Sequence, residues 1–267
     1  MSEVIIPDPI ADLEKFMNFL KNSIHFSFVR FSDGEVEILR NRYLEIYKGN
    51  TIFRGRIFKN KFPDFDSKKF DPKSGQKIRK DLLNVSLFRS DNFFKGIPTH
   101  HNNAVRDREF LLRLNGGFTK NVTFSDLFLN SNYSKYRKEV VPLFSNYKKI
   151  YVIANYRAKP VGLLSNAHHI EVPDNFFLKY DEVVSDVYEK IKNIPDGSLI
   201  LSSASSLSNI LGHMLYLRNA KITFLDVGTS INDLLSLDHN TRAYHKQKKA
   251  FFHKIIRKNS KGFDIKW

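Results

Sequence analysis

The chain has 267 residues, a formal net charge of +15 and no cysteine. This length allows a buried core in one large domain or two small ones. The lack of cysteine excludes disulfide bonds, thiol catalysis and cysteine-ligated zinc. No apolar run approaches the roughly 18 residues of a membrane-spanning helix. The first ten residues do not resemble a signal peptide. The lack of cysteine fits a cytoplasmic protein, which is what we expect.

The excess of basic residues has two explanations. A basic surface attracts nucleic acid, an anionic membrane or phosphate-bearing substrates. The same excess also fits a compositional bias, since Lys, Asn, Ile and Phe are all abundant. The basic residues are spread from Lys48 to Lys266 and form no single arm, so we expect no nucleic-acid partner.

Elements in the first third of the chain are predicted from the apolar pattern. Residues 12–21 predict an amphipathic helix that packs on a sheet, and residues 25–31 predict a buried strand. Apolar residues then recur at helical spacing over residues 36–47, until Gly49 ends the run. Residues 50–75 fit neither period and predict an ordered loop or lid.

The middle of the chain predicts more helix than strand. Helical spacing resumes over residues 76–90, a short strand follows at 93–98, and residues 107–145 predict a mostly helical region. The loop after the short strand carries His100 and His101, which are candidate contacts for an acceptor or a metal. Adjacent side chains usually point apart, so the alternative is a pair of polar surface residues.

Strands alternate with helices in the second half of the chain. Strands are predicted at 150–154, 169–172, 199–201 and 222–227, and helices at 180–191 and 206–217. This alternation indicates βαβ units with right-handed crossovers. We therefore predict an α/β fold, a Rossmann-like and mostly parallel sheet flanked by helices, with a helical or irregular insertion.

We expect a single domain over residues 1–267. Its predicted parts are a strand–helix unit at 25–48, a helical or lid region at 50–145, a Rossmann-like half at 148–235 and a basic C-terminal helix at 240–267. In such a fold ligands lie outside the carboxyl ends of the strands.

The first predicted strand ends in Arg30-Phe31-Ser32-Asp33-Gly34-Glu35. One interpretation is a capping box, in which Ser32 and Glu35 satisfy amides of the first helical turn. The other is a pair of oxygen ligands, Asp33 and Glu35, that binds Mn²⁺ or Mg²⁺ together with substrate phosphates.

Two other strand ends carry groups that suit an anion. Ser203, Ser205 and Ser206 precede a predicted helix whose free amides can bind a diphosphate, although capping by Ser205 or Ser206 is an alternative. Arg157 is either a phosphate-binding fork or an exposed arginine. No G-x-G-x-x-G or Walker sequence occurs, which counts against a nicotinamide dehydrogenase or a P-loop NTPase.

The segment from Arg30 to Glu35 resembles the Arg-Phe-Gly-Asp-Gly-Glu segment of the GT-D-type glycosyltransferases, with Ser32 in place of the first glycine. The resemblance spans residues 25–48 and 148–235. It recurs at Asn155-Tyr156-Arg157, Ile170-Glu171-Val172-Pro173-Asp174-Asn175-Phe176-Phe177, Ser203-Ala204-Ser205-Ser206 and Asp226-Val227-Gly228. Two departures are a serine-rich turn where the family has Gly-Pro-Thr-Ala, and Thr229 where it has histidine.

This resemblance implies a metal-dependent glycosyltransferase with Asp33 and Glu35 as ligands of Mn²⁺ or Mg²⁺. The donor is expected to be a UDP-sugar or another nucleotide sugar, and the acceptor a glycan or a lipid-linked molecule. Asp233 falls where an acidic residue implicated in catalysis is expected, and we expect Glu35 to contribute to catalysis as well. The expected donor-binding residues are Arg30, Asn155, Arg157, Ser203, Ser205, Ser206 and Asp226.

The basic tail over residues 242–258 predicts a helix with one apolar face. It can touch an anionic membrane that presents a lipid-linked acceptor, or pack its apolar face on the core. Two rival functions remain open: a nucleotide-dependent methyltransferase on the same scaffold, and a basic nucleic-acid-binding protein without catalysis.

Overall fold

The computed structural model describes residues 7–47, 50–59, 67–99, 104–237 and 243–245. The α-helices are α1 Pro9–Lys21, α2 Asp33–Leu39, α3 Gln76–Leu87, α4 Ala104–Asn115, α5 Tyr133–Lys135, α6 Tyr180–Ile191 and α7 Ser206–Arg218. The strands are β1 Ser27–Arg30, β2 Leu44–Tyr47, β3 Asn50–Phe53, β4 Arg56–Lys59, β5 Lys68–Phe70, β6 Phe93–Ile97, β7 Val122–Phe124, β8 Ile150–Asn155, β9 His168–Val172, β10 Leu199–Ser203 and β11 Thr223–Asp226.

Seven strands form the main sheet in the order β7-β6-β1-β11-β10-β8-β9, and their pairings are all parallel. Strands covered by helices on both faces are typically continuous apolar runs, and β6, β7 and β11 are buried along their whole length. The predicted α/β fold with a mostly parallel sheet and flanking helices is therefore confirmed.

Two hydrophobic clusters cover the two faces of this sheet. Helices α2, α3, α4, α6 and α7 pack on one face, while α1 and the irregular helical segment after α5 pack on the other. The second cluster is rich in phenylalanine. Phe16 packs against Phe26, Phe28 and Phe94 with ring centroids 4.8, 5.3 and 4.9 Å away. Each such ring pair adds about 0.5–1.5 kcal/mol beyond burial, so α1 is firmly attached.

A second sheet, antiparallel and four-stranded, replaces two of the predicted features. Its strand order is β4-β3-β2-β5. The helix predicted over residues 36–47 ends at Leu39, because the chain turns at Asn41 with a φ of +59° and continues as β2. The loop or lid predicted over residues 50–75 contains β3, β4 and β5. Arg54 and Gly55 both have positive φ, as a two-residue hairpin turn requires.

The helical region predicted over residues 107–145 is also interrupted. The short edge strand β7 lies inside it and pairs with β6. Beyond β7 the chain is helical but irregular, with a π-helical turn at Tyr136–Val140 and a 3₁₀ segment at Val141–Asn146. A strand of three residues is too short to show a period of two in the sequence.

Two sequence predictions fall mainly outside the described residues. His100 and His101 lie in an undescribed stretch, and so does the basic tail apart from a 3₁₀ turn at Ala243–His245. Within the ranges that the structure describes, every helix is too short or too polar to cross a bilayer.

Candidate functional site

A cavity of about 310 Å³ opens at the carboxyl ends of the parallel strands. Residues that follow β1, β9, β10 and β11 line it, together with Asn155 at the end of β8. Ser67 and Lys68, which precede and begin β5, close it from the side of the small sheet. The cavity lies where ligands bind in open α/β sheets, and the small sheet covers part of it.

The β1–α2 junction is both a helix cap and part of the cavity wall. The capping box is present, and the Ser32 amide donates to Glu35 Oε2 at 3.0 Å. Asp33 is exposed, Glu35 is 6% exposed, and both line the cavity. Burial raises the pKa of Glu35, and the nearby Lys68 ammonium opposes that rise. The capping role therefore coexists with two carboxylates facing one cavity.

Arg30 and Asp226 form an ion pair between the ends of β1 and β11. Arg30 Nη2 lies 3.2 Å from Asp226 Oδ1, and the Arg30 amide donates to Oδ2 at 3.2 Å. Burial alone would lower the pKa of Arg30, but Asp226 outweighs burial and raises it. Gly228 has a φ of +49°, and a Cβ there would lie 1.9 Å from Arg30 Nη2. A side chain here would be strained by the positive φ and would have to displace the Arg30 guanidinium, so glycine is favoured.

Ser205, at the β10–α7 junction, adopts a backbone conformation that is rare outside glycine, with φ 54° and ψ −143°. Its hydroxyl does not cap α7. It accepts a hydrogen bond from Lys68 Nζ at 3.0 Å and donates one to Glu35 Oε1 at 3.3 Å. Ser203 and Ser205 line the cavity, whereas Ser206 is buried beside it and its Oγ has no hydrogen-bond partner in the described chain.

Arg157 does not line the cavity, but its Nη1 lies 3.3 Å from Oδ1 of Asn155, which does. Its guanidinium forms a bidentate pair with Asp174, with Nη1–Oδ1 at 2.7 Å and Nη2–Oδ2 at 2.5 Å. It also stacks over the Tyr156 ring at 4.4 Å. The geometry therefore brings Asn155 to the site and places Arg157 in contact with both Asn155 and Asp174.

Asp233 lies on the rim rather than in the cavity wall. Its side chain is 43% exposed, and Oδ2 lies 2.6 Å from Arg137 Nη2. Its neighbour Asn232 lines the cavity instead, and so does Thr229. Thr229 contacts Tyr244 through its hydroxyl, and the Tyr244 ring packs against Tyr133.

Lys68 and Ser67 are site residues that the sequence did not reveal. The backbone of β5 is held against the loop after β9, since Asn175 N donates to Ser67 O at 3.2 Å and Lys69 N donates to Asn175 Oδ1 at 2.8 Å. The sequence around Lys68, Asp66-Ser67-Lys68-Lys69-Phe70, shows no period of two, so no strand was predicted there.

The charges that line the cavity decide what it can hold. Three carboxylates and two cations line it, and Arg30 is paired with Asp226. Asp33 and Glu35 are left opposite the single ammonium of Lys68. The described residues contain no cluster of three or more metal-binding side chains. Two carboxylates completed by substrate phosphates and water nevertheless match how Mg²⁺ is usually bound, so the donor set fits this ion or Mn²⁺.

Comparison with known proteins shows likeness at the level of the fold. No family model matches the chain, and no curated protein matches it significantly. A selenomethionine-substituted structure of domain of unknown function 1792 matches with a TM-score of 0.54 and 16% identity, covering 99% of this chain and 91% of that one. A second structure of domain 1792, described as having a distinct glycosyltransferase fold, matches with a TM-score of 0.53 and 14% identity, covering 97% of this chain and 95% of that one. The chain therefore has a glycosyltransferase-like α/β fold.

Proposed function

We propose that this protein is a metal-dependent glycosyltransferase that moves a sugar from a nucleotide-sugar donor to a glycan or a lipid-linked acceptor. The observation that carries the proposal is the placement of Asp33 and Glu35 in one cavity at the strand ends of a glycosyltransferase-like fold. Nucleic acid fits this cavity less well, because carboxylates outnumber cations in its lining.

The charge of the cavity supports the proposed divalent cation. A nucleotide sugar carries two negative charges on its diphosphate. The carboxylates Asp33 and Glu35, which make no direct ion pair with the described residues, would repel them. Mn²⁺ or Mg²⁺ held there would reverse the sign of the local charge and would supply stabilisation for the negative charge on the leaving diphosphate. Asp33 and Glu35 are the residues that would hold this ion.

The remaining groups have roles that follow from their positions. During transfer the bond from the anomeric carbon to the diphosphate oxygen breaks, and its electron pair leaves on the diphosphate. An acceptor hydroxyl oxygen bonds to that carbon and loses its proton. The Ser203–Ser205 turn would bind the diphosphate, and the buried Arg30 guanidinium, paired with Asp226, would support it from the cavity wall. Asp233 remains the proposed base for an acceptor that enters over the rim.

A thermal-shift experiment tests the donor class. The unfolding temperature of wild type is measured with a panel of nucleoside diphosphates, with Mn²⁺ and with chelator. A ligand at about 100 times its dissociation constant stabilises by about 2.7 kcal/mol, which is a rise of about 5–10 °C here. We expect one diphosphate to give this rise only with Mn²⁺.

Two variants test whether the diphosphate binds at the cavity that Asp33 lines. Asp33→Ala should fold and lose the Mn²⁺-dependent rise, because Asp33 is exposed and its removal costs little stability. Asp91→Ala is the matched control, since Asp91 is 80% exposed and pairs with Lys120 away from the cavity. No stabilisation by any diphosphate in wild type, or an unchanged rise in Asp33→Ala, would contradict the proposed function.

A further inference from the structure

We propose that Lys68 binds the donor diphosphate from the small sheet, opposite the carboxylates that hold the metal. This inference rests on the proposed function, since it names a phosphate-binding residue of the same site. Lys68 lines the cavity at the start of β5 in the small sheet, whereas the other charged residues there end or follow strands of the main sheet.

The charge of Lys68 is available to a ligand, whereas that of Arg30 is largely compensated. Arg30 is paired with the Asp226 carboxylate in a buried contact. The Lys68 ammonium instead donates to a neutral hydroxyl, Ser205 Oγ, at 3.0 Å. A neutral acceptor holds a cation less strongly than a carboxylate or a phosphate does. A diphosphate can therefore replace Ser205 as the partner of Lys68 with a gain in binding energy.

The backbone fixes Lys68 in this position. Hydrogen bonds from Asn175 hold the residues on both sides of it, with Asn175 N on Ser67 O at 3.2 Å and Lys69 N on Asn175 Oδ1 at 2.8 Å. Side chains alternate along a strand, so Lys68 points to the cavity and Lys69 points away from it. Lys69 is exposed and lines a separate groove.

Ser205 links Lys68 to the proposed metal site. The same hydroxyl that accepts from Lys68 donates to Glu35 Oε1 at 3.3 Å, so the ammonium and the carboxylate are separated by one oxygen atom. The ammonium also opposes the effect of burial on the pKa of Glu35. A phosphate group bound beside Glu35 is therefore within reach of Lys68. The compact charge of lysine suits a phosphate oxygen, which makes a diphosphate the expected ligand.

Calorimetric titration with inorganic pyrophosphate tests this role, because pyrophosphate carries the diphosphate without base or sugar. The full-length wild type is titrated in Mg²⁺ and in chelator, beside Lys68→Met, Lys68→Arg and Lys69→Met. We expect Lys68→Met to weaken binding in Mg²⁺ at least about ten-fold, as the loss of a charge-assisted hydrogen bond implies. Lys68→Arg should recover most of the affinity, and Lys69→Met should match wild type. Circular dichroism and thermal unfolding check that each variant folds.

The outcomes separate this inference from the proposed function. If Lys68→Met binds pyrophosphate as tightly as wild type while Asp33→Ala does not bind it, the proposed function stands and the proposed role of Lys68 is contradicted. If Lys69→Met weakens binding as much as Lys68→Met does, the effect is general surface charge and the inference is overturned. If wild type binds no pyrophosphate with Mg²⁺, the inference about Lys68 is overturned, and the panel of nucleoside diphosphates decides the proposed function separately.

Discussion

Ser205 combines an unfavourable backbone conformation with contacts to two charged groups. A non-glycine residue at φ 54° and ψ −143° costs about 1–3 kcal/mol and persists only where the surroundings enforce it. Here the hydroxyl bridges Lys68 and Glu35 across the cavity. We interpret the strain as the cost of presenting this hydroxyl to the cavity instead of to the amides of α7.

Substitutions at Ser205 and Ser206 should separate strain from contact. Ser205→Gly and Ser205→Ala both remove the hydroxyl, but only glycine relieves the backbone. We expect Ser205→Gly to unfold with a free energy about 1–3 kcal/mol higher than Ser205→Ala, measured by urea denaturation. Ser206, in the first turn of α7, is the matched control, and there alanine should be the more stable by about 0.5–1 kcal/mol. The same order at both positions would show that Ser205 is not strained.

The end of helix α3 is attached to strand β6 by a buried lysine. Lys95 Nζ donates to the carbonyls of Ser86 and Phe88, each at 2.7 Å, and so satisfies groups that the helix end leaves open. Lys95 is 2% exposed, and burial together with the charge of Arg89 lowers its pKa to about 7. The contact therefore links two elements at the cost of holding a titratable amine away from water.

This lysine predicts the pH dependence of stability. Above about pH 7 the folded state loses the Lys95 proton, while the unfolded chain keeps it up to about pH 10.4. The unfolded state binds more protons in this window, so the free energy of unfolding rises with pH, by at most about 1.4 kcal/mol per unit. In urea denaturation, the free energy of unfolding of wild type minus that of Lys95→Met should therefore increase from about pH 7 to pH 9. A difference that stays constant over this range would mean that folded Lys95 remains charged.

The elements that the sequence predicted well have a clear period. Helix α6 was predicted at its observed bounds, and the strands of the second half were predicted to within about two residues, because continuous apolar runs alternate with amphipathic helices. The small sheet was not predicted. Its strands have three or four residues, and its hairpin turn is Arg54-Gly55 rather than Asn-Gly.

The residues that line the cavity could be predicted only where they directly follow a strand of the main sheet. Residues such as Asp33, Ser203 and Asp226 follow directly from the position of strand ends. Lys68 enters through a long-range contact with no local signal. Asp233 was expected at the site, whereas its neighbour Asn232 lines the cavity, because the segment Gly228–Leu235 is a 3₁₀ helix with a break at Ile231.

At the scale of the whole molecule, the small sheet is joined to the main body by buried ion pairs as well as by β5. Arg54, in the β3–β4 turn, donates to Glu37 Oε1 at 3.1 Å and to Asp107 Oδ2 at 2.6 Å. Both carboxylates are fully buried, and Arg40 also contacts them. The far end of the hairpin is thus tied to α2 and α4, while β5 lies over the cavity.

Removing Arg54 should loosen the small sheet without unfolding the main one. Arg54→Met leaves Glu37 and Asp107 with fewer partners, and losing one member of a buried ion pair costs about 3–5 kcal/mol, less here because Arg40 remains. We expect amide hydrogen exchange in β2–β5 to accelerate by roughly two orders of magnitude, while β1, β10 and β11 keep wild-type protection. Arg56 is exposed in the same hairpin, so Arg56→Met is the control and should leave amide exchange in both sheets unchanged. If all strands accelerate together, the two sheets unfold as one unit, and the small sheet cannot open over the cavity independently.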